Sequence, residues 1–486
     1  MLENTQKLKE TFIQDLELQK QNLYNAFVFQ GLNPGKNEGM KTLIPKVKEI
    51  EGSKLNIPAI KFYSPSGSAH RLTQAQFDNL KNTLNFNTLK DLSYFLYNQT
   101  SLTNIDLSDL YIKTGTEVQY MLYGTSAPVK FSSINDLTGI TDISGAFYRT
   151  GSNRLDLSSF ILDETQPIIA YKAFGNAIKL PRNYSKCTFV PRGLFAGAAM
   201  KNTGLLDTSK LKFDTGGLSG VNVLAEMFNS GTFDDIIFDL SFSNIANFNS
   251  TAITSTSATS GGFSCGSSNS FTFINKEQCP LNMFAGVFGA LKTSSDLDLT
   301  GLNVNGATNF KYAFYNTTAP KLILKDVDFS KVTDANNMFY YSNIPELELH
   351  NCDFSKVTNF NNFAAASFKK ITHDTGIDMS SATKISNVLP TSSVLEEVCP
   401  LLNLGKAYTQ KSANYSNYTL SLSYHSKLSR DNIVSIFNNL YDLNVIYDVA
   451  NGGKLYSQKV TLNSTAKANL SADDIAIATS KGWTVS

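Results

Sequence analysis

FKYAFYNTTAPKLILKDVDFSKVT, residues 310–333, is followed at 336–358 by NNMFYYSNIPELELHNCDFSKVT. Both stretches close on DFSKVT, at 328–333 and again at 353–358, an offset of 25 residues. Each carries an aromatic anchor, a polar turn and then an L-x-L triplet, at 322–324 and 347–349. Repetition at this period signals stacked units, because one unit cannot bury its apolar face alone.

Working outward, the anchor recurs at Leu96, Leu122, Phe147, Phe174, Phe195, Phe228, Phe263, Phe288, Phe314, Phe339 and Phe363. The steps are 26, 25, 27, 21, 33, 35, 25, 26, 25 and 24, and the two longest flank Phe228, the second ending at Phe263. About eight residues after many anchors comes a triplet, at 105–107, 129–131, 155–157, 238–240, 297–299, 322–324 and 347–349. Two apolar residues straddling an outward one is the pattern of a half-buried strand. Strands this short need a neighbour in the next repeat. The expectation is therefore an α/β repeat solenoid, right-handed, with short parallel strands and a column of stacked anchors.

The pattern F-D-x-S-x-V-T-x-x-x-x-M-F-Y with a following L-x-L strand resembles the BspA-like leucine-rich repeats of bacterial surface proteins and phage tail or fibre proteins. The closest matches are 328–349 and 353–363, and the resemblance extends over about 300 residues. It implies a binding scaffold and no particular ligand.

The ends depart from the repeat. Residues 3–30 read as helix, with Leu8, Phe12, Leu16 and Leu23 on one face. The segment NAFVFQGLNPGKNEGMKTLIPKVKEI, 25–50, resembles a short module near the termini of phage structural proteins. That resemblance implies that Phe27, Phe29, Leu32, Leu43, Ile44, Val47 and Ile50 attach the chain to other virion proteins. LTQAQFDNLKNTL, from Leu72, reads as a helix capped by Thr73 and shielding the first repeat. Beyond the repeats a helix is expected after Ser429 and another after Ser471, stopped by Gly482. ATSKGWTVS resembles a terminal cap that accompanies such repeats, with Trp483 in its core. The division expected is an N-terminal helical attachment module (1–50), a cap (51–88), the repeat solenoid (89–404) and a small α+β C-terminal cap (405–486).

Composition narrows the function. Forty-two per cent hydrophobic residues can build a core, whereas only 17% are charged. Lys+Arg 42 against Asp+Glu 41 disfavours a basic nucleic-acid binder. Five scattered cysteines without CxxC spacing read as buried or half-buried free thiols, not a disulfide framework or zinc site. No run reaches the roughly 18 apolar residues of a membrane span, and the polar start lacks a signal peptide. The expectation is a soluble chain outside the general secretory route.

His70, His350, His373 and His425 are far apart, and no HExxH, P-loop or GxGxxG motif occurs. The pairs Asp234/Asp235 and Asp473/Asp474 invite a glycosidase reading. Neighbours on a strand face opposite ways, however, and Asp473/Asp474 fall in a helix's first turn, where acids belong. No catalytic group, metal or cofactor is expected. The outward residues of the triplets, Asp106, Lys130, Asp156, Asp239, Asp298, Ile323 and Glu348, are the candidate contacts. Those side chains could instead only keep an exposed sheet soluble. The Ser/Thr/Gly-rich segment 248–271 reads equally as a binding loop or a decayed repeat.

Together these features suggest a phage virion component, in a tail fibre, baseplate or head fibre, assembled in the host cytoplasm. It would recognise a host cell-surface protein or glycan, as a homotrimer by analogy with phage fibres. The alternatives are a BspA-like cellular adhesin and a purely structural virion decoration protein.

Overall fold

In the computed structural model, the turn around each anchor alternates in backbone handedness. The residues described are 55–56, 60, 62, 71–148, 154–214, 226–243, 245–246, 262–304, 306–389, 394–406, 418–445, 447–448, 454–455 and 458–486. Phe27 to Ile50, expected from the sequence to attach the chain to other virion proteins, lie outside them. The chain divides into two compact units, one reaching residue 169 and including 179–184, the other made of 170–178 and 185–486.

In the first unit, Tyr94 and Asn98 are left-handed, at φ 61° and 54°, on either side of Leu96. Alternate N–H groups consequently point the same way. Those of Leu92, Tyr94, Leu96 and Asn98 donate to the carbonyls of Glu117, Gln119, Met121 and Tyr123, one repeat on, at 2.7–2.8 Å. The intervening N–H groups of Phe95, Tyr97 and Gln99 donate three residues back, to Leu92, Tyr94 and Leu96. Half of the turn's donors are thus satisfied only by the next repeat, and orphaning them in a buried setting would cost about 1–3 kcal/mol each.

The second unit repeats the device. Gly286 and Ala290 flank Phe288 at φ 69° and 57°, Tyr312 and Asn316 flank Phe314 at 60° and 53°, and Asn337 and Tyr341 flank Phe339 at 54° and 59°. The anchors Phe288, Phe314 and Phe339 donate to Ala313, Met338 and Phe363. Ala364, donating to Val388 O at 3.2 Å, holds the next anchor place. Phe363, expected there, stands one residue early. The hydrogen-bond register fixes the place, while the Phe363 ring packs inward on Phe339, Phe360 and Phe354 at 5.2–5.7 Å.

Anchor rings stack from repeat to repeat in this unit. The centroids of Phe263–Phe288, Phe288–Phe314 and Phe314–Phe339 are 5.7, 5.2 and 5.4 Å apart. Phe263, preceded by the longest step, is a true anchor, since its N–H donates to Val287 O at 3.0 Å. The long steps accommodate longer strands, Ala199–Asp207 and Phe228–Asp239. There Phe228 meets Phe233 and Phe271 edge-on, at 5.6 and 5.4 Å.

The expected triplets are strands. In the first unit Ile105–Leu107 pairs in parallel with Val129–Phe131. In the second, a five-stranded parallel sheet runs in the order Leu297–Asp298, Lys321–Lys325, Glu346–His350, Lys370–His373 and Glu397–Val398. Parallel pairs that carry no L-x-L signal join them: Asn135–Leu137 with Phe160–Leu162, and Ile377–Asp378 with Leu401–Leu402.

Helices lie against the strand ends within each unit. Gln74–Thr83 begins with a capping box between Thr73 and Gln76, and its Gln74 Oε1 accepts the N–H groups of Thr103 and Asn104. In the second unit, Arg430–Asn439 is capped by Ser429, and its Asn432 Oδ1 accepts from Val398 N on the last strand of the sheet, at 2.8 Å. That bond occupies an edge donor that another strand could otherwise pair with. Thr419–Leu422, Gln458–Leu462 and Trp483–Val485 form a parallel sheet. The helix Ala472–Thr479 carries a Ser471/Asp474 capping box, and Arg430 grips Asp474 through two bonds of 2.8 and 2.7 Å. Trp483 is buried, its Nε1 donating to Tyr441 O. All five cysteines are buried free thiols, and burial pushes Cys265, Cys279 and Cys352 up to about 12.

Phe339 is fully buried between neighbouring repeats. Phe339→Ala should lower stability by about 3–5 kcal/mol in urea unfolding, well beyond the effect of Tyr340→Ala on the outer side of the same turn.

Candidate binding surface

The strand positions proposed from the sequence do not form one row. Asp298, Ile323 and Glu348 are neighbours in a single register, continued by Thr372. Asp106 and Lys130 pair in the first unit. Asp156 and Asp239 lie in other strands. Of the seven candidate contacts, strand register thus joins only Asp298, Ile323 and Glu348 in one run and Asp106 with Lys130 in another.

The aspartates have local work. Asp106, Asp156, Asp239 and Asp298 each accept the backbone N–H two residues on, from Ser108, Ser158, Ser241 and Thr300, at 2.7–3.0 Å. This is the Asx turn that lets the chain leave a short strand. Lys81 also bridges Asp106 at 3.0 Å, Lys179 bridges Asp156 at 2.7 Å, and Asn275 donates to Asp239 at 3.0 Å. Lys276 lies 3.5 Å from the Asp298 carboxylate and donates to its carbonyl. Glu348 is matched by Lys321 at 2.9 Å, and Ile323 is half-buried.

The five-stranded face balances its own charge. Lys321, Glu346, Lys370 and Glu397 share one register, alternating in sign. Ion pairs of 3.2 Å join Lys321 to Glu346, and 2.8 Å Lys370 to Glu397. His350 Nδ1 lies 2.8 Å from Asp374. Exposed pairs of this kind are worth only about 0–1 kcal/mol each, yet together they leave little field for a charged partner.

Three of the four acids considered for hydrolysis are also committed. Asp234 accepts from Gly204 N and Asp235 from Ser270 Oγ, while Asp474 holds Arg430. Among the described residues, no cluster of three or more His, Cys, Asp and Glu could hold a metal ion. No described helix is long and apolar enough to cross a membrane.

The outer side of the anchor turns, which the L-x-L triplets do not touch, is different. Two tyrosine positions recur, two residues before the anchor and one after. In the first unit Tyr94 stacks on Tyr120 at 5.1 Å, Tyr97 on Tyr123 at 5.3 Å, and Tyr123 on Tyr148 at 5.1 Å. All five are half-buried. Gly145 takes the third place of the Tyr94/Tyr120 column, where a Cβ would come 2.5 Å from the Tyr120 ring. In the second unit the corresponding group is Tyr312, Tyr315, Tyr340 and Tyr341, with Lys311 5.2 Å from the Tyr312 centroid. Past it the column becomes an amide ladder, Asn362 donating to Asn337 and Asn387 to Asn362, both at 3.0 Å. The signal was present in the sequence as Y-x-x-Y at 94–97, 120–123 and 312–315.

Residues 282–399, which include the repeats quoted first, match the family described as Mycoplasma protein of unknown function, DUF285. No curated protein matches the chain, and no solved structure does. The family match supports the repeat character of that segment and assigns it no activity.

Asx-turn hydrogen bonds hold the recurrent aspartates below the usual carboxylate range. The Thr165 hydroxyl brings Asp163 down to about 2, the Ser108 hydroxyl lowers Asp106, and the Ser330 hydroxyl lowers Asp328. A depressed folded value means stability that is present above the unfolded value of about 3.9 and is lost as pH falls through the folded one. Thermal stability should hold down to about pH 5 and then fall between about pH 4 and 2. Asp163→Asn, which cannot titrate, should make that acid limb shallower.

Proposed function

We propose that the protein catalyses no reaction and acts as a repeat solenoid that binds a partner through the tyrosine-bearing turns. The observation that carries this reading is the placing of tyrosines from successive repeats in register, outside the anchor column, beside strand faces that neutralise themselves. Tyrosine gives large contact area with few rotamers to freeze and a hydroxyl at its tip, which is why recognition surfaces favour it. The strand face offers no comparable feature.

The setting we infer is a phage virion, with a tail fibre, baseplate or head-fibre protein recognising a protein or glycan on the host cell. The resemblance of residues 25–50 to a phage structural module supports it, as does the likeness of the repeats to those of phage fibres. The N-terminal region would then bind other virion proteins. Weak single contacts would gain avidity from many copies, in trimers or across the particle. A second reading, a bacterial surface adhesin, draws support from the family match, whose description is of Mycoplasma proteins.

Purified protein added in excess to the host should block adsorption of the producing phage, and mass spectrometry should find the chain in purified particles. Detection on the bacterial envelope without particles would overturn the virion setting in favour of the adhesin. Presence in particles with no blocking, even by a multimerised form, would reduce the role to decoration.

A further inference from the structure

Tyr341 occupies a position that the repeat reserves for small residues. Two places after most anchors the backbone is left-handed, and the second unit fills that place with Asn176, Gly197, Ser230, Ala290 and Asn316, at φ 53–74°, Cys265 and Ala366 being the exceptions. Asparagine and glycine tolerate this conformation, whereas a large side chain is strained there. Tyr341 adopts it at φ 59° with 61% of its surface exposed. Burial does not repay the strain, in contrast to Tyr312, which is also left-handed but half-buried in its cluster. Strain held on an exposed aromatic points to use.

The ring is also held in place. Tyr340 stacks on one face with centroids 4.0 Å apart, and Tyr315 meets it at 71° and 5.9 Å. With one face against Tyr340, the exposed area lies on the opposite face and the edges. The next repeat offers only Ala366 in the same column, too small to cover a ring. Amides bond across the same turns: Asn336 donates to Asn361 O at 3.2 Å, and Asn362 to Asn337 at 3.0 Å. An exposed aromatic ring in turns that carry neutral donors and acceptors suits a ligand with apolar C–H faces and many hydroxyls.

We propose that the Tyr315/Tyr340/Tyr341 cluster is a stacking platform for a neutral carbohydrate, with Tyr341 as its contact ring. This rests on the recognition reading above and names its ligand class. The amides that bond in these turns are neutral, Lys311 already sits over the Tyr312 ring with its ammonium 5.2 Å from the centroid, and a single ring is a small contact for a protein.

The test compares full-length wild type with Tyr341→Asn and Tyr341→Phe. Asparagine suits the left-handed position, so Tyr341→Asn should melt at the wild-type temperature or about 1–3 °C higher. On an array of neutral, sialylated and sulfated oligosaccharides, wild type should bind neutral members. Calorimetric titration of the best neutral oligosaccharide should show at least a tenfold loss in Tyr341→Asn and near-retention in Tyr341→Phe. A lower melting temperature for Tyr341→Asn would make the ring structural and overturn the proposal. So would equal carbohydrate binding by all three proteins, or a preference for the anionic glycans. Host-cell binding abolished by protease, insensitive to periodate and unchanged in Tyr341→Asn would overturn the carbohydrate assignment and leave the recognition reading standing. Binding to neither cells nor array would remove both.

Discussion

The carbonyl of Met121 is the acceptor that the Leu96 N–H cannot find in its own repeat. This is the constraint from which the rest follows. A turn of alternating handedness sends every second N–H outward along the stack and every other one back into its own loop. The left-handed residues on each side of an anchor make that alternation possible. Cooperativity follows, because a repeat without a neighbour exposes unpaired donors as well as an apolar anchor. Strand pairing and ring stacking then add to a register that the turns already impose.

That register separates the surfaces by chemistry. Along the strands, like positions face each other one repeat apart, so like charges would repel, and the second unit alternates Lys321, Glu346, Lys370 and Glu397 instead. Along the turns, like positions also meet, and there tyrosines stack on tyrosines and asparagines bond to asparagines. One face consequently uses up its charge internally, whereas the other holds rings and amides in fixed order. Rigid placement of adaptable polar groups and aromatic rings is what a recognition surface requires.

Much of this was legible in the sequence. The 25-residue period, the L-x-L strands, the caps at Thr73, Ser429 and Ser471 and the core position of Trp483 follow from local rules that tertiary structure did not override. Phe363 shows where such rules stop. In FNNFAAA, Phe363 and Ala364 are both apolar, and only the bond from Ala364 to Val388 decides between them. The aspartates show a second limit. An outward Asp in a triplet looks like a contact until its bond to the N–H two residues on is seen, and D-x-S was readable as an Asx turn. The tyrosines show a third limit: Y-x-x-Y brackets the anchor, where aromatic residues read as core, and only the stacking of Tyr94 on Tyr120 and Tyr97 on Tyr123 sets them outside the anchor column.

Hydrogen exchange followed by mass spectrometry on the native protein tests the central claim most directly. Peptides covering the anchor turns, 92–99 and 118–125 in the first unit and 310–317 and 335–342 in the second, should be protected as strongly as the strand peptide 321–325, because both depend on bonds between repeats. Turn peptides that exchange like exposed loops while 321–325 stays protected would show that the strands alone hold the stack, and would contradict the account.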